Sequence, residues 1–271
     1  MKRFVRASVV LSSLLYGDIF YTIGLHVFMV NDIEPNPQIF TSLSHAVGFD
    51  LGLEALRKFD EDTQLHAALD LYYDYQIDEL DPDHIPVSME YFVDLDSVFA
   101  KYRFGNFTWG MHIENKQNTV SCIEQEMNDY LYAGYRYKEG AFSFGFTQGL
   151  GVHYFEIDDD TPKLRGYSRD DLEDSQTSFI SAVDFGYKID DIFIELNARY
   201  ISTYYYESLR SDIGGVVHIY DVGYLPKGSS INLKYRYTQY DLSRFQTDGY
   251  DVAVLPWDND AMFRFYTTIP F

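Results

Sequence analysis

Ala261-Met-Phe-Arg-Phe-Tyr-Thr-Thr-Ile-Pro-Phe271 closes the chain with an alternating pattern. One side of an extended segment would carry the odd-numbered residues Phe263, Phe265, Thr267, Ile269 and Phe271. The other side would carry Met262, Arg264, Tyr266 and Thr268. A period of two residues is typical of a β-strand. Such a strand occurs both in soluble sheets and in membrane barrels, so the remaining chain has to distinguish the two.

The same alternation recurs along the chain and predicts twelve strands. We expect them at residues 19–29, 43–54, 65–77, 91–104, 107–114, 131–138, 142–154, 179–189, 192–203, 216–224, 231–238 and 261–271. The phase slips by one residue near Asp96-Ser97, which indicates a β-bulge. Tight turns are expected at Gly105-Asn106, Glu139-Gly140 and Asp190-Asp191. The predicted connections alternate between long polar loops after odd-numbered strands and short turns after even-numbered ones.

One face of the predicted strands is apolar, and the other is rich in Gly, Thr, Asp and Arg. A β-sandwich has no reason to collect all its long loops at one end, whereas outer-membrane barrels do so. Twelve strands also enclose a lumen too wide for a dry core of side chains. We therefore expect an all-β fold, a closed antiparallel twelve-stranded transmembrane β-barrel with short periplasmic turns and long extracellular loops. Its apolar face would contact lipid.

Composition agrees with this class of protein. The chain has 25 Tyr and 21 Phe, and aromatic side chains form girdles at both membrane interfaces of such barrels. No apolar run approaches the ~20 residues of a transmembrane helix. The formal charge of −21 argues against a nucleic-acid partner. The single cysteine, Cys122, allows no intramolecular disulfide, and no cofactor motif or metal-ligand spacing is present.

The first seventeen residues form a separate segment in this interpretation. Lys2, Arg3 and Arg6 precede the short apolar run 9–15, as in a signal peptide. Arg6 interrupts the pattern, however, and no small-x-small cleavage site follows. Residues 1–17 are therefore expected to be either a signal-like segment or an N-terminal element of the mature protein, and residues 18–271 to be the barrel domain.

The terminal strand, the strand count and the chain length together resemble the translocator barrels of autotransporters, in a solitary form without a passenger. The resemblance covers residues 18–271 and implies a location in the outer membrane of a Gram-negative bacterium. It also implies contact with lipid and lipopolysaccharide, escort by periplasmic chaperones and insertion by the barrel-assembly machinery. In that family the terminal aromatic strand is part of the insertion signal, which here would be Phe263, Phe265, Ile269 and Phe271.

The residues expected to line the lumen divide into two walls. The predicted second to fourth strands supply an acidic wall with one histidine: Asp50, Glu54, His66, Asp70 and Asp74. Later strands supply a mainly basic wall: Arg136, Arg199, Lys234, Arg236 and Arg264. Such walls would either face each other across a water-filled pore, where they would orient polar solutes, or pair directly and fill the lumen.

These two arrangements leave several functions open. The resemblance favours a non-enzymatic barrel of the autotransporter-translocator type. The first alternative is a small-solute channel of the nucleoside or sugar type, in which Tyr72, Tyr132 and Tyr266 would line the path. The second is a surface adhesin or structural barrel. An enzyme is not expected, because nucleophilic catalysis needs a Ser or Thr beside a His and no such pair is indicated by the sequence.

Overall fold

A computed structural model describes residues 18–32, 44–76, 87–117, 119, 123–157, 172–218, 225–241, 244 and 257–271. These segments contain the strands β1 (Asp18–Asp32), β2 (Ser44–Lys58), β3 (Thr63–Gln76), β4 (Val87–Tyr102), β5 (Gly105–Gln117), β6 (Ile123–Glu139), β7 (Phe142–Ile157), β8 (Leu172–Ile189), β9 (Ile192–Ser202), β10 (Glu207–His218), β11 (Ser230–Asp241) and β12 (Trp257–Pro270). No helix within the described segments is long and apolar enough to cross a bilayer.

The twelve strands form one closed antiparallel barrel, which confirms the expected fold class. Each strand pairs with its neighbours in sequence, and β12 pairs with β1. The closing register places Tyr21 opposite Ile269 and Leu25 opposite Phe265. Beyond it, the amide of Phe271 donates a hydrogen bond to the carbonyl of Ile19 at 2.8 Å. Closure leaves no unpaired sheet edge between the first and last strands.

Alternation along each strand separates an outer surface from an interior. Leu25 is 63% exposed and Leu51 is 49% exposed, and both lie on the outer face. Their neighbours His26 and Asp50 point inward and are almost fully buried. Exposed apolar side chains over the whole outer face and buried charges inside are the inverse of a soluble core, as expected for a barrel in lipid.

Four described connections lie at one end of the barrel, which we call the turn end: residues 59–62, 103–104, 140–141 and 190–191. Gly140 (φ 57°) and Asp190 (φ 50°) adopt the left-handed backbone that tight hairpin turns require. Glycine reaches this region without steric cost, and aspartate tolerates it better than most residues do. The predicted turns at 139–140 and 190–191 therefore agree with the structure to within one residue.

Several predicted boundaries were wrong. The turn predicted at Gly105-Asn106 lies at Arg103-Phe104, so that Gly105 and Asn106 already belong to β5. The bulge lies between Val98 and Ala100 rather than at Asp96-Ser97. The expected loops 115–128, 156–176 and 241–259 are each shortened, because the flanking strands extend into them.

The tenth strand shows the largest difference. β10 spans Glu207–His218, and the expected loop at 207–212 is its first half. The predicted strand was 216–224, of which residues 219–224 lie outside the described segments. The connection between β9 and β10 is only residues 203–206, so the expected alternation of long and short connections fails there. Residues 1–17, Cys122 and most of the residues in the other predicted long loops lie outside the described segments.

Candidate functional site: the barrel interior

All ten residues expected to line the lumen lie on the interior face of their strands. They contact interior groups or line interior cavities. Asp50, Asp74, Arg236 and Arg264 are buried. Among the ten, Arg264 pairs with Asp50 and Asp70 across the two predicted walls. Arg136, Arg199 and Arg236 pair instead with carboxylates that the sequence analysis did not select.

One group of paired charges lies beside the β1–β12 junction, and we call it the seam cluster: His26, Asp50, Asp70, Asp74 and Arg264. The guanidinium of Arg264 donates from Nε to Asp50 at 2.8 Å and from Nη2 to Asp70 at 2.8 Å. His26 Nε2 lies 2.7 Å from Asp74 Oδ1. These contacts run from β12 and β1 to β2 and β3, so they tie the closing strands together from the inside.

Aromatic rings surround the same guanidinium. Arg264 lies 4.2 Å from the ring centroid of Tyr266 and 5.3 Å from that of Tyr72. Stacking of a cation on an aromatic face stabilises the cation. Two of the three tyrosines expected to line a solute path are therefore in contact with Arg264. The third, Tyr132, donates its hydroxyl hydrogen bond to Asp96 at 3.1 Å.

A second group of ion pairs spans the lumen, and we call it the cross-barrel bridges: Glu90, Glu114, Arg199, Arg210 and Arg236. Arg236 of β11 donates to Glu90 of β4 at 2.5 Å. Glu114 of β5 accepts from Arg199 of β9 at 2.5 Å and from Arg210 of β10 at 3.0 Å. Within each ion pair, the strand of the glutamate and the strand of the arginine are not neighbours in the barrel. The side chains therefore cross the interior and occupy it.

An aromatic group closes the interior toward the opposite end, which we call the loop end. Tyr206, in the connection between β9 and β10, is 1% exposed. Its ring stacks on His153 with centroids 4.1 Å apart, and Phe155 lies beside it. Burial raises the pKa of the Tyr206 hydroxyl well above its usual value. The hydroxyl therefore stays protonated and donates to Glu126 at 3.0 Å.

The described residues line two adjoining cavities on the turn-end side of the bridges. The turn-end cavity has a volume of about 970 Å³ and is lined by residues that include Lys58, Asp62, Arg103, Arg136 and Lys138. The inner cavity has a volume of about 310 Å³ and reaches Glu114, Arg199, Arg210 and Lys234. Ser143 and Asp184 line both cavities, so the two spaces adjoin.

Sequence reasoning missed most partners of the predicted basic residues. Glu90 lies just before the predicted fourth strand, and Arg210 lies in a predicted loop. Glu114 lies on the polar face of the predicted fifth strand, but it was not selected as a lumen residue. Its inward parity was visible in the alternation of that strand. Tyr206 had no signal, because a residue in a connection has no strand parity to show where it points.

The interior histidines do not form a nucleophilic site in the described segments. His26 pairs with Asp74, His66 with Glu54 at 2.8 Å, and His112 lies 3.4 Å from Asp94. Ser88 donates to Asp74 rather than to His26. Within these segments, no group of three or more His, Cys, Asp or Glu side chains could hold a metal ion.

Comparisons with protein families and with curated proteins found no match. Solved structures do match. An outer-membrane channel from Pseudomonas putida F1 aligns with a TM-score of 0.52 at 10% identity, over 94% of this chain and 96% of that one. The fold is that of an outer-membrane β-barrel. At this identity the likeness shows the fold alone.

Two further solved structures match less closely. The translocator domain of the autotransporter NalP from Neisseria meningitidis aligns with a TM-score of 0.48 at 12% identity, over 100% of this chain and 95% of that one. Outer membrane phospholipase A from Escherichia coli aligns with a TM-score of 0.42 at 14% identity, over 97% of both chains. The function of this chain is therefore argued from its interior.

Proposed function

We propose that the protein is a non-enzymatic barrel in the outer membrane of a Gram-negative bacterium and that its own side chains close its lumen. The observation that carries this proposal is the set of cross-barrel bridges, in which Glu90 and Glu114 pair with arginines of distant strands. A solute or an unfolded chain would have to break these buried pairs, and separating a buried ion pair is costly.

The relation to autotransporter translocators is the finer part of the proposal. It rests on the strand count and on the terminal strand, which pairs with β1. In such a barrel the bridges would fill the lumen with side chains. Lipid and lipopolysaccharide are the proposed surroundings, and the barrel-assembly machinery and periplasmic chaperones are the proposed assembly partners. The non-enzymatic role rests on the histidines, which pair with carboxylates rather than with hydroxyl nucleophiles.

A small-solute channel is the second candidate, and the two adjoining cavities favour it. They carry a polar path from the turn end as far as Glu114 and Arg199. The P. putida structure of similar fold is described as an outer-membrane channel. Among the described residues, the bridges and the aromatic group around Tyr206 lie between this path and the loop end.

Planar-bilayer recording distinguishes the two candidates. We expect the purified full chain to insert without discrete current steps, because the bridges occupy the lumen. Regular steps would overturn the closed-barrel proposal in favour of the channel. In that case, substitution of Arg199, Arg236 or Asp70 by an uncharged residue should change ion selectivity. Unchanged selectivity would show that the current does not pass these residues.

A further inference from the structure

The lining of the inner cavity includes charged residues that belong to none of the ion pairs described above. Arg199 and Arg210 are paired with Glu114, and Arg210 is also paired with Asp212 at 2.9 Å. Lys234, Asp184 and Glu195 line the same cavity. Among the described residues none of these three has an ion-pair partner within 4 Å.

The backbone pairing fixes how two of these charges face each other. Gly214 of β10 is the direct partner of both Glu195 on β9 and Lys234 on β11. A Cβ atom at Gly214 would lie 2.8 Å from Oε1 of Glu195, so this carboxylate leans over the glycine. The Glu195 side chain thus fills the space over Gly214, and Glu195 and Lys234 line the same cavity without forming an ion pair with each other. Opposite charges at the two sides of a gap can bind a ligand that carries both signs.

Two further polar residues, Arg199 and His112, line the same cavity. Nε of Arg199 and Nε2 of His112 are buried and have no hydrogen-bond partner in the structure. These two atoms are sealed by their surroundings, so a ligand in the cavity would meet other atoms of the two side chains. The rings of Phe92 and Phe193 supply the apolar part of the lining. The cavity thus offers charges of both signs, polar atoms and aromatic surface.

From these features we infer that the inner cavity binds a small zwitterion, namely an α-amino acid with an apolar side chain. Its carboxylate would pair with Lys234, its ammonium group with Glu195, and its side chain would lie against Phe92 or Phe193. A simple anion would meet the two free carboxylates, and a simple cation would meet Lys234. The volume of about 310 Å³ is at the lower end of ligand pockets, which fits a molecule of this size.

The ligand would enter from the turn end, because the inner cavity adjoins the turn-end cavity along Ser143 and Asp184. The bridges and the aromatic group would stop it from travelling further. This inference goes beyond the proposed closed barrel. Binding in detergent solution is measured without a membrane, so its success or failure does not depend on the bilayer recordings.

Isothermal titration calorimetry of the full chain in detergent with L-phenylalanine tests the proposal. Two analogues separate the charges: 3-phenylpropionate lacks the ammonium group, and phenethylamine lacks the carboxylate. We expect saturable binding of L-phenylalanine and weaker binding of both analogues. Lys234→Met and Glu195→Gln should each weaken binding roughly tenfold or more, because each removes one charged contact. Lys227→Met, at an exposed turn position, is the matched control and should bind as the wild type does.

The shift in gel mobility of the unheated barrel shows whether each variant has folded. Wild-type protein that gives no saturable signal with L-phenylalanine would overturn the inference. Equal affinity for 3-phenylpropionate would also overturn it, since the site would then select an anion. So would folded Lys234→Met and Glu195→Gln variants that retain full affinity.

Discussion

Glu114 is a single carboxylate that holds two guanidinium groups. Arg199 and Arg210 are direct partners across the β9–β10 pair, and both contact Glu114 from the other side of the barrel. Without it, two like charges would face each other inside the barrel, although Arg210 would keep Asp212. Removal of one partner from a buried pair leaves a charge without compensation, which is strongly destabilising.

We therefore expect Glu114→Gln to lower the free energy of unfolding by about 3–5 kcal/mol. Urea titration of the refolded barrel in detergent or lipid vesicles measures this change. Glu61→Gln, at an exposed position of the 59–62 turn, serves as the control and should change stability by under ~0.5 kcal/mol. A loss below about 1 kcal/mol for Glu114→Gln would show that the bridge contributes little to stability.

Asp60 shows how a residue in a turn can make stability depend on pH. Its carboxylate accepts hydrogen bonds from the amides of Asp62 and Thr63 at 2.8 and 2.7 Å. These bonds lower the pKa of Asp60 below its ordinary value. A carboxylate with a depressed folded-state pKa stabilises the protein above its unfolded-state pKa, and this contribution is lost as the pH falls through the folded-state pKa.

Asp60→Asn should therefore destabilise the barrel at neutral pH and have a smaller effect at acid pH, where the wild-type carboxyl is itself protonated. Urea titrations of wild type and variant at neutral and acid pH give the two differences. Because Asp60 is fully exposed, we expect a small effect. If the loss of unfolding free energy caused by Asp60→Asn grew as the pH fell, this would contradict the assigned hydrogen bonds.

At the scale of elements, interior glycines make room for the large side chains that fill the lumen. A Cβ atom at Gly110 would lie 2.2 Å from the carbonyl oxygen of Leu95 and 2.4 Å from the ring of Tyr132. Tyr132 cannot swing away without losing its hydrogen bond to Asp96. Gly215, in contrast, has no atom within 4 Å of the corresponding position.

Gly110→Ala should lower the free energy of unfolding by about 1–3 kcal/mol, which is typical of overpacking. Gly215→Ala makes the same chemical change in open space and should be neutral or slightly stabilising, since glycine within a strand costs about 0.5–1 kcal/mol relative to alanine. If both substitutions changed the unfolding free energy equally in urea titrations, overpacking at Gly110 would not be what determines stability there.

The strands that the sequence predicted well are those with an unbroken apolar face. In β2, for example, Val47, Phe49, Leu51 and Leu53 follow one another at every second position. β10 lacks this signal, because Ser211 and Gly215 interrupt its outer face and Arg210 is typical of a loop. The predictions of the strand ends were wrong for another reason. A tilted strand of ~9–11 residues is enough to cross the bilayer, whereas β8 has 18 residues. Residues beyond the hydrocarbon layer need not alternate.

Within a recognised strand, parity predicts which residues face the interior, but not which charges pair there. Arg236 and Asp70, which parity assigns to the interior, pair with Glu90 and Arg264. Which charges meet depends on how side chains cross the lumen from strands that are far apart in sequence. Arg236 and Glu90, for example, are 146 residues apart. The alternation of residues within one strand does not show which residue of a distant strand a side chain will meet.

At the scale of the whole molecule, the end of the chain is the part that closes the barrel. Phe271 is 85% exposed, and its ring contacts only that of Tyr21 among the ring contacts of the described residues, with centroids 5.6 Å apart. An exposed ring adds little to the stability of the folded barrel. If the terminal strand is read as an insertion signal, Phe271 should matter for assembly in the cell rather than for the stability of the finished structure.

Phe271→Ala should accordingly reduce the amount of assembled protein in the outer membrane severalfold, while the purified, refolded variant should lose less than about 1 kcal/mol of unfolding free energy. Membrane fractionation with the gel-mobility assay measures the first quantity, and urea titration the second. Tyr21→Ala removes the same ring contact from the other side and is the matched control. Because Tyr21 is not in the terminal strand, it should leave assembly nearly unchanged, and an equal defect in both variants would assign the effect to packing at the seam.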